Sequence, residues 1–215
     1  SLADAQLEVD GDLTAWVKRS TGASDDGTQS LRQRAYLGAL YAGNFKEAAS
    51  LLPDGNMATV IWTSGSVISD PVELHRAMVA FRLGDHEAAR RFADLAIDRF
   101  RRTDWSPRQE TSVMMATALA HALAGRGVEA LRLGEASYEL ARGQDAYELR
   151  HRHAVLGRIY AVLGRREESL TVLRALLTGP GLYKAGPNKL RHDPLWSLLK
   201  DDPRFEETLK LATPL

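Results

Sequence analysis

The chain contains no cysteine, which removes disulfide frameworks, thiolate nucleophiles and sulfur-ligated zinc in one step. It also lacks net charge: 28 basic residues balance 28 acidic ones, so no long-range field gathers nucleic acid or an anionic membrane. No run of about 18 apolar residues occurs, so no membrane insertion is expected. The opening SLADAQLEVDGDL has neither the basic start nor the apolar centre of a signal peptide. With Ser1 in first place it reads as a piece of a longer chain, and the material as soluble, with cytoplasm favoured over periplasm. Arginine far outnumbers lysine, a hint of a GC-rich bacterial source.

Signatures of chemistry are missing too. No P-loop, nucleophile elbow or dinucleotide fingerprint occurs, and Asp25-Asp26-Gly27 lacks the alternating oxygen ligands and distal glutamate of a calcium loop. His151 and His153 stand two apart and cannot face one metal from a helix, while His75, His86 and His121 belong to separate segments. The acid pairs Glu167-Glu168 and Asp201-Asp202 fall at helix starts, where they suit the dipole. Arg99, Arg101, Arg102 and Arg108 cluster around Trp105, but Asp98 and Asp104 interrupt them, which describes a solvated connection. The expectation is a non-enzyme without cofactor or metal that binds no nucleic acid through this segment.

What the chain does have is a recurring turn. Gly43, Gly84, Gly125 and Gly164 each follow an apolar stretch, at intervals of 41, 41 and 39 residues. Five residues after each stands a small side chain, Ala48, Ala89, Ala130 or Ser169. A period of this size signifies stacked supersecondary units. With 44% hydrophobic residues in 215, the chain can bury a core either as one domain or as a continuous solenoid.

Local signals place helices on both sides of each glycine. Residues 31–42 put Leu31, Ala35, Gly38 and Ala42 on one helical stripe, and a short helix over 45–52 ends at Pro53-Asp54-Gly55. The stretch 56–69, rich in Thr, Ser and Gly, reads as an irregular connection. Asp70-Pro71-Val72-Glu73 then predicts a start with Asp70 as cap and proline in the first helical position. Over 85–99, Ala89, Phe92, Ala93, Ala96 and Ile97 follow helical spacing, with Phe100 next. Ser106-Pro107-Arg108-Gln109 repeats the cap-proline start. Two further pairs hinge at Gly125 and Gly164. Such short hinges force antiparallel neighbours. Residues 178–189 form a Gly/Pro-rich loop, followed by two short helices announced by Asp193-Pro194 and Asp202-Pro203, and one N-terminal helix is expected over 12–20.

These residues resemble the tetratricopeptide repeat, whose motif wants Leu-Gly-x-x-Tyr in the first helix, glycine at the turn and small residues in both helices. Leu156, Gly157, Tyr160 and Gly164 match best, with Ser169 in place of alanine; Ala77, Gly84, Ala89 and Ala96 match in the second unit, and Ala118, Gly125 and Ala130 in the third. In the first unit Leu37-Gly38-x-x-Tyr41 and Gly43 compete for the register. The resemblance implies an all-α, right-handed α-α superhelix. About four hairpins would span 30–178, after an N-terminal extension over 1–29 and before a loop and capping helices over 179–215. It makes the small residues packing positions.

The segment from Leu190 to Lys210 resembles a second pattern, Leu-Arg-x-Asp-Pro-x-Trp, later Asp-Pro-Arg-Phe. It follows repeat arrays in bacterial multidomain signalling proteins such as serine/threonine kinases, adenylate cyclases and membrane-tethered winged-helix regulators. Leu195, Trp196, Leu199 and Phe205 suit a cap over the last repeat's apolar face. Alignment to the repeat family directs Leu74, Met78, Phe81 and Arg82, then Met115, Leu119 and Leu123, then His151, Arg158 and Val162, toward a concave groove. The groove would take a peptide or amphipathic helix by apolar anchors, with arginines reading a carboxylate. The competing possibilities are that residues 54–70 fill the groove or that it is ordinary packing. The implied role is a protein-interaction or regulatory module of a bacterial signalling protein, with homodimerisation through exposed helix faces compatible. The alternative is a small-ligand sensor governing an attached DNA-binding or kinase domain.

Overall fold

A computed structural model describes residues 12, 15, 28–52, 68, 70–143, 146–179 and 186–212. Ten α-helices and one 3-10 turn make up the described residues, without a strand. They are α1 (Thr28–Tyr41), α2 (Phe45–Leu51), α3 (Val72–Arg82), α4 (His86–Arg102), α5 (Pro107–Leu123), α6 (Gly127–Ala141), α7 (Ala146–Val162), α8 (Arg166–Thr178), α9 (Pro187–His192), the 3-10 turn Trp196–Leu199 and α10 (Pro203–Leu209). The described residues form an all-α solenoid of helical hairpins.

Each hairpin is closed by the same device. Gly43, Gly84, Gly125 and Gly164 lie at φ between 72 and 78°, the left-handed region where a Cβ is penalised. The amide that follows each glycine donates back five residues: Asn44 to Ala39, Asp85 to Ala80, Arg126 to His121 and Arg165 to Tyr160, at 2.9–3.0 Å. This is the Schellman closure, which satisfies helix-end carbonyls and reverses the chain. Asp85 adds a cap to α4, accepting from Ala88 N–H at 2.9 Å, and Ser106 and Gln109 form a capping box on α5.

The hairpins stack in chain order. First helices α3, α5 and α7 contact one another in succession, and each second helix α2, α4 and α6 packs against the first helix of the next unit. Close approach depends on the small residues: Ala48, Ala89, Ala130 and Ser169 are wholly buried, as are Ala77 and Ala118. The first unit's register follows Gly43, which puts Tyr36 at the crossing position held by Ala77, Ala118 and Gly157 elsewhere. Its inward stripe is accordingly Tyr36, Ala39 and Leu40, while Ala42 is exposed. The Leu37-Gly38-x-x-Tyr41 match is thus two residues out of step.

Other expectations need correction. Helix α3 begins at Val72 with Pro71 in the cap position and no side-chain cap. Asp70 is instead buried beside His75, its Oδ2 4.0 Å from Nε2. Helix α4 continues to Arg102, so Phe100, Arg101 and Arg102 are helical rather than connecting. Pro187–His192 is a helix where a loop was expected. The Asp193-Pro194 signal starts a 3-10 turn rather than an α-helix. Of the helix expected over 12–20 only Asp12 and Ala15 are described, Ala15 N–H donating to Asp12 Oδ1 at 2.9 Å. Asp25-Asp26-Gly27, Pro53-Asp54-Gly55, residues 56–67 and the loop over 180–185 lie outside the described residues. None of the described helices is long and apolar enough to cross a membrane.

Candidate functional site

The repeat register organises the face formed by the first helices. Met78, Leu119 and Arg158 stand six residues before their turn glycines, and Arg82, Leu123 and Val162 two before. The same repeat position therefore recurs along α3, α5 and α7 as two ladders. Leu74, Met78, Met115, Leu119 and Leu123 are all buried, in one cluster that also contains Leu195 of the C-terminal tail. Phe81, Arg82, His151 and Val162 are half-buried. As open anchors for a partner, the five buried side chains are unavailable in this arrangement, because all of them lie inside that cluster.

The tail is held by the two arginines assigned to the groove. Arg82 Nη1 donates to Pro194 O at 2.6 Å and to Ser197 Oγ at 3.1 Å, contacts that join α3 to a segment 112 and 115 residues later. Arg158 donates from Nη2 and Nε to Asp193 Oδ2 at 2.7 and 3.1 Å, and both side chains are buried. The other oxygen, Asp193 Oδ1, accepts from the amides of Leu195 and Trp196 at 2.9 and 3.0 Å. One carboxylate thus neutralises a buried guanidinium and caps the turn. Burial pulls the Arg82 guanidinium below its ordinary pKa, an effect the nearby Asp193 charge partly offsets. Arg82 also lies over the Phe45 ring, 4.6 Å from its centroid.

A 3-10 turn has three residues per turn, so positions three apart share a side. Leu195 accordingly joins the main repeat core, whereas Trp196 and Leu199 join a second cluster with Val172, Leu173 and Leu176 of α8, and Leu198 packs against both. Trp196 sits against Gly157, where an added Cβ would lie 2.3 Å from Cη2 and 2.9 Å from Cζ2 of the indole. Ser169 Oγ donates to Gly157 O at 2.8 Å, fixing α8 against the same spot. The indole Nε1–H is buried and meets no acceptor among the described residues. Phe205 is buried as well, and Asp202 caps α10 through Arg204 N–H at 3.1 Å.

Other polar groups are structural. Tyr160 OH donates to Glu135 at 3.2 Å, linking α7 to α6. Tyr138 and His153 stack at 4.7 Å, and Arg126 Nε donates to His121 Nδ1 at 2.9 Å. Arg99 pairs with Glu73 at 2.6 Å. Among the described residues no group of three or more His, Asp or Glu is placed to hold a metal. Sequence reasoning missed three participants: Asp193 as the partner of Arg158, Ser197, and the buried Arg152, which joins Glu148 to Ser112 of α5. The Glu148–Arg152 spacing of four was a visible helical-pair signal. The Asp193–Arg158 pair leaves no local trace.

The family model described as Tetratricopeptide repeat matches residues 72–94 and 151–175. These stretches are α3 with the start of α4, and most of the α7–α8 hairpin, so the matches centre on Gly84 and Gly164 and support a tetratricopeptide-repeat domain. No curated protein and no solved structure gives a significant match. Repeats of this family generally mediate protein–protein interaction and are typically non-catalytic.

Proposed function

We propose that this chain is a protein-interaction module whose concave face, along α3, α5 and α7, receives a peptide or helix from a partner, as part of a bacterial signalling or regulatory protein. The observation that carries it is the pair of repeat-matched ladders with two arginines directed at that face, where a carboxylate and apolar side chains are already bound in cis.

The test uses half-buried positions, since a charge at Met78 or Met115 would unfold the core. Peptides are selected by display against the full chain and their affinities measured by calorimetry. Phe81→Glu and Val162→Glu are expected to weaken binding tenfold or more with the helical signal retained. Unchanged affinity in both variants removes the concave face as the binding surface.

A further inference from the structure

The segment seated against the first helices α3 and α7 has the chemistry expected of a ligand. Its carboxylate, Asp193, is taken by Arg158 and lies close enough to Arg82 to influence it; its backbone carbonyl at Pro194 and the Ser197 hydroxyl are taken by Arg82. Its apolar side chains divide between the ladder cluster and the notch at Gly157. Residues 193–197 take their polar contacts from the Arg82 and Arg158 side chains of the repeats, apart from a separate tail contact that Arg204 makes to Glu167 of α8, and the Trp196 indole N–H is left without an acceptor among the described residues. A donor without a partner is a deficit that a competing segment could remedy.

We propose that residues 193–199 are an intramolecular ligand of the concave face. The partner this face accepts in trans is then a peptide carrying a carboxylate followed by an apolar turn with an aromatic residue, which competes with the tail for Arg82, Arg158 and the Gly157 notch. This rests on the reading of the concave face as a protein-binding surface and adds the occupant's chemistry and the means of control. A tethered segment competes at the high effective concentration set by its linker. Release of the tail therefore raises the apparent affinity for a partner without altering any contact the partner makes.

The experiment uses the full chain with a protease recognition sequence inserted between Thr178 and Pro187, and a fluorescent peptide of residues 187–200 as probe. Anisotropy is read before and after the cut, with circular dichroism alongside. The expected result is a retained helical signal and probe binding at least tenfold tighter after cutting, abolished by Arg82→Ala in the cut protein. A probe that never enters the cut protein, that binds cut and uncut protein alike, or a cut protein that loses its helical signal, overturns the proposal by making the tail a permanent part of the fold. An uncut Asp193→Asn, Ser197→Ala variant provides a second reading: it should bind the probe more tightly than the parent, and equal binding counts against competition. Display-selected peptides that bind equally well before and after cutting would remove the competition while leaving the binding role standing.

Discussion

At the level of single residues, glycine serves two distinct purposes. Gly84 needs its freedom for backbone reasons: its φ is +78° and a Cβ would touch nothing within 4 Å. Gly157 needs only the absence of bulk, since a Cβ would collide with the Trp196 indole and with Val172 Cγ1 at 2.8 Å. Gly84→Ala should therefore cost about 1–2 kcal/mol through its left-handed conformation alone. Gly157→Ala should cost about 1–3 kcal/mol by overpacking. A double-mutant cycle in urea separates the two causes. Trp196→Phe removes the ring atoms that collide, so it should partly relieve Gly157→Ala while combining additively with Gly84→Ala. Both glycines are visible in the sequence as motif positions, but only coordinates show which atoms occupy the space.

Between elements, the first junction differs from the others. Tyr36 on α1 occupies a crossing where later units use Ala or Gly, and its OH lies 3.1 Å from His75 Nδ1 on α3. His75 is buried, and burial lowers its pKa to about 4 even with Asp70 4.0 Å away. The unfolded chain takes up a proton near pH 6.5 and the folded chain does not until about pH 4. Stability is thus complete above pH 6.5 and declines as pH falls toward 4, by about 3 kcal/mol from this group. Unfolding free energies at pH 7 and pH 4.5 should differ less in His75→Gln, which retains an acceptor for Tyr36, than in the parent; an identical pH response would exclude His75 as the cause. The turn glycines and alternating helices could be read from spacing because Schellman closure and helical periodicity are local. The 3-10 turn and α9 could not, because Asp193-Pro194 signals a start without specifying its kind, and the short α9 is sustained by packing rather than by its own pattern.

Across the whole molecule, the tail converts an open array into a tied one. The buried pair Arg158–Asp193 should respond as buried pairs do: Arg158→Met leaves the carboxylate without its principal partner and should cost about 3–5 kcal/mol. Arg191→Met, which breaks a partly exposed pair with Glu206 at 2.9 Å, should cost about 0–1 kcal/mol. Midpoints of chemical denaturation compare the two directly, and equal shifts would mean the tail is not anchored where the contacts indicate. Met78, Leu119 and Arg158, and likewise Arg82, Leu123 and Val162, were legible from the sequence as ladder positions, since each set repeats at a fixed offset from the turn glycines. The tail contacts of Arg82 and Arg158 were not, because pairs 35 to 115 residues apart in sequence leave no periodic signal.

Arg82 and Arg158 grip the same short segment from units two and four, so the coil resembles a spring whose turns are joined by a stay. Stretching or twisting it must first break those grips. Once they are released, only the contacts between neighbouring units hold the stack together.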